Sequence, residues 1–311
     1  LMACLFALSF TTALAESENA LSIVCTTFPQ YDWVRQILGD RADDVDLTLL
    51  LDNGVDLHSY QPTADDIIKI AQSDLFLYVG GESDGWVEDV LATAQNPNLK
   101  TVNMLESVEA KEEETVEGMQ AERHGHDHDE EDEDEEELDE HVWTSPRNAA
   151  RICRKLCDTF SAADSAHAAQ YAQRCGDYVE QLDRLDAEFQ DVVENAARKT
   201  MVFADRFPLR YFADAYGLDY YAAYPGCADA AEPSAATVAF LIDKVRAEGI
   251  PVVFTIELSN GKLADTVCEA TGAKKLEFAT CHNVTAQAFA NGATYLQLME
   301  RNVQALREAL N

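Results

Sequence analysis

Positive charge is scarce in this chain. Only 23 Lys and Arg stand against 57 Asp and Glu in 311 residues, a formal net charge of -34 at pH 7. A molecule of that sign repels nucleic acid and anionic lipid and concentrates cations, which argues against nucleic-acid partners. Several catalytic signatures are also missing: there is no H-E-x-x-H and no phosphate-cradling glycine loop, and the fourteen glycines form no cluster. These absences favour binding over catalysis, so no enzymatic activity is expected. The opening apolar run, "LMACLFALSFTTALA", is fifteen residues long, shorter than the roughly 20 that span a membrane.

That run ends in the small-x-small pattern Ala13-Leu14-Ala15 and reads as the remnant of a secretory signal over 1–15, with soluble cleavage after Ala15. "LMAC" also resembles a lipobox, which makes Cys4 the alternative site of a lipid anchor. Either way the expected location is extracytoplasmic, in the periplasm or at the cell surface. There the remaining seven cysteines could form disulfides, although their spacing fixes no pairing. Cys153 and Cys157, four apart on one helical face, are expected to be buried thiols.

The hydrophobic content of 47% supplies cores for two domains. Strand-like runs at Leu21 to Thr26, Val45 to Leu51 and Leu75 to Gly80 alternate with helical segments around Val34 and Ile67. A second series begins at Thr200 to Ala204 and continues at Asp219 to Ala223, Pro251 to Ile256 and Lys275 to Phe278. Apolar strands alternating with helices predict an α/β fold of two lobes, each with a mostly parallel sheet flanked by helices. The expected division is 20–145 for the first lobe, 146–198 for helices that include a linker, and 199–311 for the second lobe. The linker carries apolar residues at Tyr171, Cys175, Tyr178, Leu182, Leu185, Phe189, Val192 and Ala196. With Asp164 as its cap, it predicts one rigid helix from Asp164 to Arg198, about 50 Å long.

Between Glu106 and Glu140 nineteen acidic residues face only Lys111 and Arg123, a net of -17, half the charge of the whole chain. With almost no apolar content this segment reads as a disordered loop, 106–140. Solvation accounts for its carboxylates but not for the alternation His124-x-His126-x-His128. Imidazoles among carboxylates suit zinc and its first-row neighbours, so these three histidines read as a weak collector of cations. His167, among alanines near the linker's start, reads as an exposed helix residue.

His58 lies in "DLHSYQPT" directly after a strand, and His141 in "DEHVWTSP", where the acidic segment returns to the fold. These segments resemble the Asp-x-His-x-Tyr-Glu-Pro and Asp-x-His-x-Trp-x-Asp-Pro segments of the zinc-type solute-binding proteins of ABC importers. Gln61 and Ser145 replace the family's Glu and Asp. "SDLFLYVGGESDGWVEDVL", "EPSAATVAFLIDKV" and "GATYLQLMERNVQAL" extend the likeness over essentially the whole mature chain. The resemblance implies a metal site in a cleft between two lobes joined by a long helix, with His58 and His141 as ligands from the first lobe. It further implies Zn(II) as the transported ligand and a membrane permease as the partner of a monomeric receptor.

The likeness breaks at the third ligand. Where family members carry a His, or a Glu in manganese-type receptors, this chain has Arg206, and a guanidinium has no lone pair for a metal. Candidates to complete the site are Asp205, Glu257 at the end of "VVFTIE", and Cys281 and His282 of "ATCHNVT". His282 is favoured because imidazole suits zinc. Cys281 could instead pair with Cys227 or Cys268. Manganese or iron reception, metal buffering without a permease, and a metal-dependent hydrolase using Asp139 or Glu140 as base are the alternative readings.

Overall fold

A computed structural model describes residues 21–52, 54–120, 137–228 and 233–311. The signal reading at 1–15, the anchor reading at Cys4 and the collector histidines His124, His126 and His128 lie outside these residues. No helix among the described residues is long and apolar enough to cross a membrane.

The chain forms β1 (Ser22–Cys25), α1 (Phe28–Leu38), β2 (Asp46–Leu49), α2 (Ala64–Gln72), β3 (Leu75–Tyr78), α3 (Val87–Leu91) and β4 (Lys100–Asn103). Two long helices follow, α4 (Pro146–Ala163) and α5 (Ala168–Glu194). The remainder is β5 (Thr200–Phe207), α6 (Arg210–Tyr216), β6 (Asp219–Pro225), α7 (Ala235–Glu248), β7 (Val252–Thr255), α8 (Lys262–Thr271), β8 (Lys274–Glu277), α9 (Ala286–Ala290) and α10 (Tyr295–Leu310). The first four strands form a parallel sheet in the order β2-β1-β3-β4, and the last four another in the order β6-β5-β7-β8. Central strands β1 and β3 bury nearly every residue, as a sheet covered on both faces requires. In β5 the register shifts between Phe203 and Arg206, and pairing resumes at Arg206 with Tyr224. Such an irregularity re-aims the side chains that follow it.

The linker helix is shorter than its apolar repeat predicts. It runs for 27 residues, about 40 Å, because His167 occupies the N-cap and Asn195 ends it. Asp164 does not cap it. Its carboxylate accepts from Tyr171 Oη at 2.6 Å and pairs with His167 Nδ1 at 2.8 Å, so His167 is a tethered, half-buried residue and not an exposed one. The buried stripe of α5 packs against α4, α1, α10 and α6, elements from both halves of the chain. One hydrophobic core therefore runs through both sheets. It includes Ile23 and Phe76 of the first, Phe203 and Phe254 of the second, and Trp143, Phe189 and Tyr295 between them.

The acidic segment is a disordered loop only in composition at its two ends. Glu112 pairs with Leu138 in an antiparallel bridge. The Lys111 N–H donates to Tyr211 Oη at 3.0 Å, the Gln120 N–H to Ala223 O at 2.9 Å, and Glu114 takes Arg210 and Tyr220. Hydrogen bonds to the second lobe, together with Val108, Val116 and Met119 packed against the core, supply the ordering. The described cysteines are all free thiols, and no disulfide is formed among them. Cys153 is buried, whereas Cys157 is only half-buried.

Candidate metal centre

Loops from the C-terminal ends of the two parallel sheets meet in the cleft, the place where open α/β folds gather ligands. His58 follows β2 on a short 3-10 turn, Leu57–Ser59, capped by Asp56, whose Oδ1 accepts the His58 N–H at 3.0 Å. Its Nδ1 lies 2.9 Å from Ser83 Oγ and 3.7 Å from Glu140 Oε2. Glu140 also fixes Ser83, whose N–H donates to Oε1 at 2.7 Å.

His141 is 1% exposed. Asp139 Oδ1 accepts its N–H at 2.8 Å and lies 3.1 Å from its Nδ1. A partner on Nδ1 orients each ring and leaves Nε2 for another task. The two Nε2 atoms face each other 3.2 Å apart. The third converging atom comes from Cys227 after β6: His58, His141 and Cys227 each offer one ligand atom, all within 4.8 Å of one another. Gly226 permits this approach, since a Cβ there would stand 3.3 Å from His141 Cε1 and 3.0 Å from Pro208 Cα.

The electrostatics suit a cation. Burial, with His141 and His282 alongside, pushes His58 down to about 2, so its ring is neutral and carries a free lone pair. Burial pushes Glu140 up to about 7. Burial also raises the Cys227 thiol, and Asp139, Glu113 and Glu140 add to the effect. A divalent ion reverses that balance, because a thiol that coordinates a metal gives up its proton.

The candidates for the third ligand fall elsewhere. His282 adjoins the cluster, with ring centroids 5.9 Å from His58 and 6.2 Å from His141. However, its Nε2 accepts the Leu57 N–H at 3.0 Å. Burial keeps this ring neutral, pushing it down to about 3, and a neutral imidazole has only one acceptor nitrogen. It clamps the His58 turn in place of joining the converging atoms. Cys281 is buried with its thiol toward Ala279 O. Glu257 accepts from Thr280 N–H, Thr280 Oγ1 and His282 N–H at 2.7, 2.6 and 3.0 Å, which fixes the loop that carries His282. Asp205 accepts from Thr255 Oγ1 and from the Arg206 N–H. The Arg206 guanidinium crosses the cleft to Asp56 at 2.6 Å.

Two residues of this cluster were not singled out by motif. Cys227 sits in "YPGCAD" without a metal-ligand spacing. Ser83 lies in a G-x-S-x-G spacing, Gly81 to Gly85, which is also the pattern of acyl-transfer nucleophiles. Here its hydroxyl faces His58 Nδ1, while the other nitrogen of that ring faces His141 and no carboxylate, so no Ser-His-acid triad is formed.

A family of proteins described as the periplasmic component A of the zinc-uptake complex matches residues 23–309. Zinc-binding lipoprotein AdcA of Streptococcus pneumoniae is 30% identical over 299 residues, covering 94% of this chain and 56% of that protein. The chain thus spans about half the length of that relative. High-affinity zinc uptake system protein ZnuA of Bacillus subtilis is 29% identical over 303 residues, covering 97% and 92%. Among solved structures, the Zn(II)-bound ZnuA-like domain of Streptococcus pneumoniae AdcA matches with a TM-score of 0.75 at 27% identity, over 94% of this chain and 99% of that one. The metal-dependent lipoprotein YcdH of Bacillus subtilis matches with a TM-score of 0.76 at 25% identity, over 94% and 100%.

Proposed function

The chain belongs to the zinc-uptake complex component A family of periplasmic proteins, and from that premise we propose that it captures extracytoplasmic Zn(II) and delivers it to the membrane permease of an ABC importer. The observation that carries this reading is the convergence of one ligand atom each from His58, His141 and Cys227 within 4.8 Å of one another, with the two Nε2 atoms 3.2 Å apart. Tetrahedral Zn(II) with bonds of about 2.0 to 2.1 Å to nitrogen sets neighbouring nitrogens about 3.3 to 3.4 Å apart. The observed 3.2 Å fits that edge. In this reading a water would complete the tetrahedron. Two imidazoles and a thiolate suit zinc better than manganese, whose sites lean on oxygen ligands.

Of the two carboxylates next to the site, Asp139 is taken up by His141, which removes it as a general base, while Glu140 gives Oε1 to the Ser83 N–H and keeps Oε2 buried without a hydrogen-bond partner, 3.7 Å from His58 Nδ1. His124, His126 and His128, with the surrounding acids, raise the local cation concentration in this scheme and have no part in the tight site. Zinc titration against a competing chelator tests the assignment. One tight ion per chain is expected, lost in His58→Ala and His141→Ala and weakened by orders of magnitude in Cys227→Ser. Wild-type affinity in Cys227→Ser would reject the third ligand.

A further inference from the structure

Arg206 cannot bind a metal, yet it reaches both halves of the site. Its Nη2 lies 2.6 Å from Asp56 Oδ2, and its Nη1 donates to Ala228 O at 3.2 Å. Asp56 caps the turn that presents His58, through a 3.0 Å bond to the His58 N–H. Ala228 directly follows Cys227. A single side chain thus bonds to the residue two before one ligand and to the residue after another, and these ligands come from opposite lobes. The register shift in β5 ends at Arg206 and sets its direction, and Asp205 accepts its N–H. The guanidinium is half-buried, at 17% exposure, beside a cavity of about 660 Å³ that Asp56 and His282 also line.

Resting on the reading of His58, His141 and Cys227 as ligands, we infer that Arg206 is a positioning residue that holds the His58 turn and the Cys227 loop at zinc-binding separation. A planar fork can serve two acceptors at fixed angles, which an ammonium cannot do. The charge-assisted bond to Asp56 gives the tie its strength. Partners of this kind, one step removed from the metal, change affinity by about 10- to 100-fold when lost. A cation placed near a divalent ion would by itself weaken binding, so removing it has opposite consequences under the two accounts.

The test compares Arg206→Met, Arg206→Lys and Asp56→Asn with the wild-type chain. It reads zinc affinity by chelator competition and the thiolate charge-transfer absorption of the Co(II)-substituted protein. Arg206→Met should bind one zinc about 10- to 100-fold more weakly and lose intensity in the Co(II)–thiolate band. Asp56→Asn should weaken binding in the same direction, Arg206→Lys should recover part of the loss, and the Arg206→Met/Asp56→Asn double variant should be no weaker than Arg206→Met. If Arg206→Met does not fold, Arg206→Lys and Asp56→Asn decide. Unchanged or tighter zinc binding with a wild-type Co(II) band overturns the inference. Absence of the thiolate band from the wild-type protein removes the Cys227 assignment first, and the role of Arg206 with it.

Discussion

A metal needs imidazole in its neutral form, and burial enforces that form here. In the unfolded chain these rings titrate near 6.5, whereas in the fold burial takes His58 down to about 2 and His282 down to about 3. Between about pH 6.5 and 3 the unfolded chain therefore binds more protons. The stability these rings contribute is fully present above about 6.5 and is lost as pH falls through that window. Metal-free His282→Asn should accordingly lose less stability than the wild-type protein between about pH 7 and about pH 4 in thermal denaturation. An equal loss would contradict a buried, neutral His282. His58 and His141 were legible in the sequence through the resemblance of "DLHSYQPT" and "DEHVWTSP" to the family's segments, in each of which an aspartate two residues earlier accepts the histidine's N–H. The candidate ligand Cys227 was not, because its place in the cluster depends on β6 ending beside His141. His282 was legible as a cleft residue, but the bond that occupies its Nε2 comes from Leu57, 225 positions away.

At the scale of elements, apolar runs marked seven of the eight strands among the described residues. β4 carries too little signal, since Val102 is the only apolar residue of its sequence KTVN. The stripe of α5 was readable for the same reason, while its ends depend on Asp164, His167 and Asn195, whose partners no repeat reveals. Ordering of 106–120 and 137–140 was hidden because many of its bonds go to residues distant in the chain, several of them in the far lobe. These include Glu113 Oε1, which accepts the Cys227 N–H at 2.7 Å, and Glu117, which pairs with Lys244. Gly176 interrupts α5 on its exposed side, and a Cβ there meets nothing within 4 Å. Gly176→Ala should therefore stabilise the protein by about 0.5–1 kcal/mol, the usual gain for such a change in a helix interior. A raised melting temperature with unchanged zinc affinity is expected, and a lowered one would contradict the packing described for this helix.

In the whole molecule, the proposed function divides between the cleft and the charged tract. The core that runs through α5 into both sheets holds the site loops together, helped by Asn283, whose Nδ2 donates to Leu51 O and Val55 O across the cleft. None of the three proposed cleft ligands lies in the His-rich tract. Deleting Gly125 to Glu137 should leave the tight site intact and remove weaker additional zinc binding in a titration, and loss of the tight site would contradict this division. The central claim is that zinc is held by two imidazoles and the Cys227 thiolate. X-ray absorption at the zinc edge of the protein loaded with one equivalent tests it most directly. The account predicts a sulfur at about 2.3 Å beside nitrogens at about 2.0 to 2.1 Å, and a first shell of nitrogen and oxygen alone would contradict it.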